Sequence, residues 1–327
     1  MENQTNSVKP EIPGWLPPCF SLSLDIGGSH ITAAAVDIQT GMIEESGKTT
    51  QAVAPDSPAG EILDAWMEAA SRALNSIPQN SEFAGVGVAM PGPFDYELGI
   101  CLMKGIGKLE SLHGMNIRTF FKNSLEIPEK KPVIFRNDAV CFLLGETWKG
   151  AAQGCQDVIG VTLGTGFGSA FMKKGNLVEH DPGMPPGGWF YNVPFRDGIA
   201  DDYFSTRGLL RIHREITGKE VSGAFELAQK APSDPKAREV FEIFGKTLAE
   251  FLLPYLGSFK PGCVVIGGNI ARAWKWFGES LLSGLSDSPV PVDLKPSILF
   301  EDAALLGAAL LPLRFREPDS SNSPEGC

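Results

Sequence analysis

The stretch Val158-Ile-Gly-Val-Thr-Leu-Gly-Thr-Gly-Phe-Gly-Ser-Ala-Phe-Met-Lys-Lys-Gly175 decides how the chain is read. Val158–Leu163 is an apolar, β-branched run of strand length, and Gly164-Thr165-Gly166-Phe167-Gly168 breaks it. Ser169–Met172 resumes as a second strand before the turn residues Lys174-Gly175-Asn176. Glycine lets a backbone turn sharply and come close to a ligand with its N–H groups unobstructed. Two readings are therefore open on these residues alone: a turn that holds a phosphate, or a hairpin that uses glycines for its turn.

The same plan occurs near the start of the chain. Phe20–Asp25 alternates apolar and polar residues as a strand does, Gly27-Gly28 turns it, and Ile31–Val36 reads as the next strand. Asp37–Gly41 then turns into a short third strand around Met42-Ile43. A helix follows, with Ser57 as N-cap, Pro58 at its first position, and Ile62, Trp66, Ala70 and Leu74 at four-residue spacing. Gly85–Met90 and Val133–Phe135 are further strands, and the mixed segment between them holds a helix at Ile117–Asn123. Asn137-Asp138 ends the second of these strands and precedes a helix marked by Val140, Leu143, Leu144 and Trp148, where either residue suits an N-cap. Later helices are expected at Ser205–Ile216, at Ala237–Leu256 with a kink at Pro254, from Ala271, and at Asp302–Leu311. Cys263–Ile266 is a buried strand that runs into Gly267-Gly268-Asn269. A strand–glycine turn–strand unit in each half predicts a duplicated α/β chain and excludes a short-period solenoid.

Composition narrows the class. Hydrophobic residues at 43% and charged residues at 20% describe an ordinary soluble protein, and 327 residues are enough for two lobes. A net charge of -11 makes nucleic acid an unexpected partner, since Arg207, Arg211 and Arg214 read only as a solvated helix face. The start of the chain lacks the pattern of a signal peptide, and Ala303–Leu313 is too short to span a bilayer, so a membrane partner is not expected either. Cys19, Cys101, Cys141, Cys155, Cys263 and Cys327 are scattered without C-x-x-C spacing, as reduced thiols of a cytoplasmic protein would be.

The glycines can support only some phosphate chemistries. The G-x-x-x-x-G-K-[ST] loop is absent, and Gly164-x-Gly166-x-Gly168 opens onto a strand, where a dinucleotide fingerprint opens onto a helix. Two glycine turns facing each other across a cleft would clamp a polyphosphate from both sides. Asp25, just before the first turn, is either a strand-end turn residue or a carboxylate that holds magnesium through water.

Taken together, Leu24-Asp25-Ile26-Gly27-Gly28-Ser29, Asn137-Asp138-Ala139, Leu163–Gly168, Val265–Asn269 and Asp302–Ala309 resemble, in order and spacing over about residues 20–312, the ROK family of sugar kinases and repressors. The resemblance implies an actin/hexokinase-like fold with duplicated βββαβα units. Its lobes would be 20–135, completed by a helix at 302–314, and 136–301, between a flexible leader (1–19) and tail (315–327). It implies that Gly27, Gly28 and Ser29 face the phosphates of ATP from one side, and Gly164, Thr165, Gly166 and Gly168 from the other. Gly267, Gly268 and Asn269 would lie near the adenosine, and Asp25 near the magnesium ion. Asp138 would take the proton from the attacking sugar hydroxyl, with Asn137 and Asp201 as further sugar contacts. Family members usually carry a Cys-rich zinc loop, but Pro185–Ser205 has neither cysteine nor histidine, so zinc is not expected. Trp189 stands for the family's His and Pro186 for its first Glu, which alters the sugar pocket.

The expectation is an ATP-dependent kinase of a hexose or hexose derivative, with a homodimer compatible with the family. A sugar-binding or regulatory protein of the same fold with little turnover is the alternative. A repressor would need a helix-turn-helix segment that the proline-bearing residues before Phe20 are not expected to supply.

Overall fold

A computed structural model describes residues 17–286, 288 and 290–315, so the leader up to residue 16 and the tail from residue 316 lie outside the described residues. Strands β1 (Cys19–Ile26), β2 (His30–Asp37) and β3 (Thr49–Ala52) form an antiparallel meander. Helix α1 (Ala59–Asn75) leads to β4 (Glu82–Met90), which lies parallel to β1. A small hairpin, β5 (Phe94–Asp95) and β6 (Ile100–Cys101), and helix α2 (Ile117–Ser124) precede β7 (Val133–Asn137), parallel to β4. Helix α3 (Asp138–Lys149) follows directly.

The second half repeats this. Strands β8 (Val158–Leu163), β9 (Phe167–Lys173) and β10 (Asn176–Val178) form another antiparallel meander. Next come the hairpin β11 (Pro194–Phe195) and β12 (Gly198–Ile199), then α4 (Ala200–Phe204), α5 (Thr206–Thr217), α6 (Ala224–Lys230) and α7 (Pro235–Phe259). Strand β13 (Cys263–Gly267) lies parallel to β8, and after α8 (Trp274–Gly284) β14 (Asp293–Pro296) lies parallel to β13. Helices α9 (Asp302–Ala309) and α10 (Leu311–Arg314) end the described chain. The strand orders β3-β2-β1-β4-β7 and β10-β9-β8-β13-β14 are the same, which establishes the duplication.

Alternation along the strands assigns each sheet face. Leu22, Leu24 and Ile26 of β1 join Trp66 of α1 in one core, while Ser23, on the opposite face, donates its hydroxyl to the Leu305 carbonyl of α9 at 2.5 Å. In β8, Ile159, Val161 and Leu163 face the aromatic core of α7, and Val158 packs with α3. Helices α3 and α9 thus lie between the sheets, one on each, and against each other. Their backbones nearly touch. A Cβ on Gly145 would sit 2.0 Å from the Ala303 carbonyl oxygen, and one on Gly307 would sit 1.8 Å from that of Cys141. Glu146, fully buried on α3, accepts hydrogen bonds from the Ser297 hydroxyl and the Ala151 N–H and so fixes the chain entering α9.

Three expectations change. The third strand is Thr49–Ala52, whereas Ile43 makes only an isolated bridge to Val36 and Met42 is largely exposed. Thr-Thr-Gln-Ala is a half-buried edge strand whose pattern carries almost no hydrophobic signal. Pro58 is itself the N-cap of α1, because Ser57 turns back to bond the Ala54 carbonyl. Helix α7 runs through Pro254 to Phe259, anchored there by buried Leu256 and Phe259.

In an exposed helix Gly→Ala stabilises by about 1 kcal/mol. At Gly307 the same change forces two backbones apart and is expected to destabilise the protein by about 1–3 kcal/mol. Urea denaturation measures it, and an increase in stability would show that the helices have room to spare.

Candidate active site

The first glycine turn leaves β1, where the Gly27 N–H bonds the His30 carbonyl at 2.8 Å. The second leaves β8, the equivalent strand of the other sheet, and closes with a bond from the Gly164 N–H to the Gly166 carbonyl at 3.0 Å. Two groups from the α4–α5 segment brace it. Thr206 donates its N–H and its hydroxyl to the Gly164 carbonyl at 2.7 and 2.9 Å, and Asp201 Oδ1 accepts the Phe167 N–H at 2.7 Å. A Cβ on Gly164 would meet nothing nearer than 3.9 Å, so this turn presents bare backbone to open space.

Helix α3 begins at the meeting point of these parts. Asn137 caps it, accepting the Ala139 N–H at 3.0 Å and donating its amide to Tyr96 Oη at 3.3 Å. Tyr96 in turn donates to the Met90 carbonyl at 3.0 Å, so the hairpin after β4 holds the cap in place. Asp138 Oδ1 shares the Ala139 N–H at 2.9 Å, and the residue's own N–H and the Asn137 side chain also favour its ionised form. The residue is accessible to water yet has protein atoms on all sides, as a group on the floor of an open cleft does.

Two carboxylates share this floor. Burial pushes Asp25 up to about 7, and the negative charge of Asp138 adds to the rise. Burial also raises Asp138, opposed first by the Ala139 N–H and then by the charge of Lys108. The first turn of α3 favours its ionised form as well. Asp25 has no hydrogen-bond or ion-pair partner among the described residues. An enclosed, unpartnered carboxylate beside a second one fits a hydrated divalent cation. Among the described residues no cluster of three or more His, Cys, Asp or Glu side chains is placed to hold a metal.

The remaining sequence candidates divide in two. Gly28, Ser29, Thr165 and Gly166 lie on the turns with their backbones at least partly exposed. Gly168 and Gly267 instead make room for protein. A Cβ on Gly168 would collide with Thr162 and crowd Ala139, and one on Gly267 would collide with Phe142 of α3. Gly268, at φ +82°, adopts a left-handed conformation that suits glycine and brings its backbone against Leu163 at the end of β8, with Asn269 exposed beside it. Asp201 braces the turn through Oδ1 and pairs with Arg207 at 2.5 Å through Oδ2.

The loop at 185–205 is ordered by packing. Phe190 is fully buried among Phe167, Phe171, Phe251 and Tyr255, and Ser169 Oγ bridges the Gly188 carbonyl and the Phe190 N–H at 2.7 and 2.9 Å. Sequence reasoning missed Tyr96 and Lys108, which reach the site from loops without periodicity, and Thr206, which starts α5.

The model of the ROK family matches residues 21–314. The chain belongs to the ROK family. It is similar to a glucokinase of Thermotoga maritima, 26% identical over 90% of this chain and 97% of that one. It is also 26% identical to an N-acetyl-D-glucosamine kinase of Photobacterium profundum, over 76% of this chain and 83% of that one. A ROK family glucokinase from Streptomyces griseus, solved with glucose and AMPPNP, superposes with a TM-score of 0.68 at 21% identity, covering 90% of this chain and 100% of that one. The superposition places the actin/hexokinase-like fold on the same elements. The five described cysteines of this ROK chain are free thiols, and no described helix is long and apolar enough to cross a membrane.

An Asp25 carboxyl held near 7 keeps a proton that the unfolded chain releases near its ordinary value of 3.8. The stabilisation is complete below the lower value and is lost as pH rises through the upper one. Between about pH 4.5 and 7.5 the urea midpoint of the metal-free protein should fall more in the wild type than in Asp25→Asn. Parallel curves would show that Asp25 is ionised throughout.

Proposed function

We propose that this protein transfers the γ-phosphoryl group of ATP to a hydroxyl of a hexose or hexose derivative, with Asp138 as the general base. The observation that carries this reading is Asp138 itself: a water-accessible carboxylate fixed by the Ala139 N–H at the start of α3, beside Asp25 and near the glycine turns. Phosphoryl transfer asks chiefly for positioning and for charge neutralisation, with one carboxylate beside the nucleophile. The relatives named glucokinase and N-acetyl-D-glucosamine kinase support the choice of acceptor.

In this reading the Gly27–Ser29 and Gly164–Gly166 turns grip the polyphosphate, and Gly268 and Asn269 border the adenosine. The segments 20–135, with 302–314, and 136–301 act as two lobes around the cleft. Asn137 orients the sugar by the same amide that ties it to Tyr96. The Asp138 carboxylate accepts the hydroxyl proton as the sugar oxygen bonds to phosphorus and the bond to ADP breaks. Asp25 would hold a magnesium ion through water, and the bound ion would neutralise phosphate charge. Asp201 can reach a sugar only if Arg207, its present partner, moves aside, so its first role is to brace the second turn.

Asp138→Asn keeps the shape of the cap and removes the base. It should lower turnover by roughly 10²–10⁴-fold while AMPPNP still binds. Coupled ATP-consumption assays over hexoses, N-acetylated amino sugars and glycosides measure both the substrate and the loss. Unchanged turnover in the variant would remove Asp138 from the mechanism.

A further inference from the structure

The segment 104–113 contributes one cation to this site. Lys108 is held at its base by the next residue: Leu109 is fully buried, at φ +53°, and its N–H bonds the Pro55 carbonyl at 2.8 Å. Two further bonds fix the segment, from Ser111 Oγ to the Ser57 carbonyl at 2.8 Å and from the Gly107 N–H to Glu110 Oε1 at 2.7 Å. From this base the Lys108 stem lies along the first glycine turn. Its Cδ would be 3.3 Å from a Cβ placed on Gly28. The side chain ends close enough to Asp138 for its charge to favour the ionised carboxylate.

Nevertheless the ammonium is not neutralised. Among the described residues it has no carboxylate at ion-pair distance and no hydrogen-bond acceptor, although the residue is half-buried. A partly desolvated cation without a partner is costly to maintain. Its position along the first glycine turn and near Asp138 is where negative charge gathers when a phosphoryl group moves between donor and acceptor. Lys104, by contrast, lies farther along the same segment and is exposed.

We propose that Lys108 is a catalytic residue whose ammonium holds the phosphoryl oxygens during transfer. This rests on the kinase reading above and adds to it the cation that acts on the transferring group. Lys108 takes no part in the proton transfer and only donates hydrogen bonds. The bond from the sugar oxygen to phosphorus forms, the bond from phosphorus to the ADP oxygen breaks, and the hydroxyl proton goes to Asp138.

The test compares Lys108→Met, which keeps the stem along Gly28, with Lys108→Arg, which keeps the charge. Lys108→Met should lower kcat by roughly 10²–10³-fold, the usual loss for one transition-state donor, with the sugar KM changed by no more than about threefold. Lys108→Arg should recover a measurable part of the loss. A kcat within about threefold of wild type would overturn the proposal, as would a loss confined to the sugar KM, which would make Lys108 a sugar contact. If the wild type phosphorylates no sugar tested, the kinase reading fails on its own, and Lys108 is then judged by calorimetry with inorganic tripolyphosphate. The proposal expects at least tenfold weaker binding to Lys108→Met, and equal binding would overturn it.

Discussion

The close crossing of α3 and α9 is the constraint on which the rest of the structure depends. Helix α9 lies on the first sheet and α3 chiefly on the second, and their crossing joins the two. Gly145 and Gly307 bring the two backbones into contact, and a Cβ on Gly87 of β4 would likewise lie 1.8 Å from the Ala308 carbonyl oxygen. Such contact leaves no side-chain layer to yield, so the position of α3 is set by carbonyl oxygens and not by adjustable packing. Ser23 and the buried Glu146 add hydrogen bonds at the two ends of the same assembly. Because α3 carries Asp138 at its first position, the contact that joins the sheets also places the carboxylate on the cleft floor.

The electrostatics of the site follow from that placement. Asp25 lies near the end of β1 and Asp138 starts α3; burial raises both, and the charge of Asp138 adds to the rise of Asp25. Different neighbours oppose the rise. Asp138 has an amide, a helix N-terminus and a nearby lysine on its side, whereas Asp25 has no partner among the described residues. One carboxylate is thus kept ready to accept a proton, and the other gains most from a cation. The second glycine turn is held from behind by Thr206 and Asp201, so its shape does not depend on a bound phosphate. The neighbouring loop at 185–205 is anchored by the burial of Phe190.

Much of this was legible in the residues. The first two strands of each meander, the strands at Gly85–Met90, Val133–Phe135 and Cys263–Ile266, and the helix behind Asn137-Asp138 follow from apolar periodicity and capping, because those segments bury one whole face. The duplication showed in the repeated glycine turns. What could not be read were features whose signal lies elsewhere in the chain. Thr49–Ala52 is an edge strand fixed by its partner β2 and not by its own hydrophobicity. Gly168 and Gly267 stand in glycine turns in sequence, and only the fold shows that they also make room, Gly168 for Thr162 across the β8–β9 pair and Gly267 for Phe142 of α3. Asp201 was expected to face a sugar, but the turn at Gly166 and Arg207 hold both its oxygens. Lys108 sits in a segment without periodicity, and its relation to Gly28 exists only in three dimensions.

The central claim is that the two glycine turns grip one polyphosphate above Asp138. A crystal structure with magnesium, AMPPNP and the preferred sugar tests it most directly. The account predicts the phosphates between Gly27–Ser29 and Gly164–Gly166, with a sugar hydroxyl within hydrogen-bond distance of the Asp138 carboxylate. A nucleotide held by one turn alone, or a sugar whose hydroxyls all face away from Asp138, would contradict it.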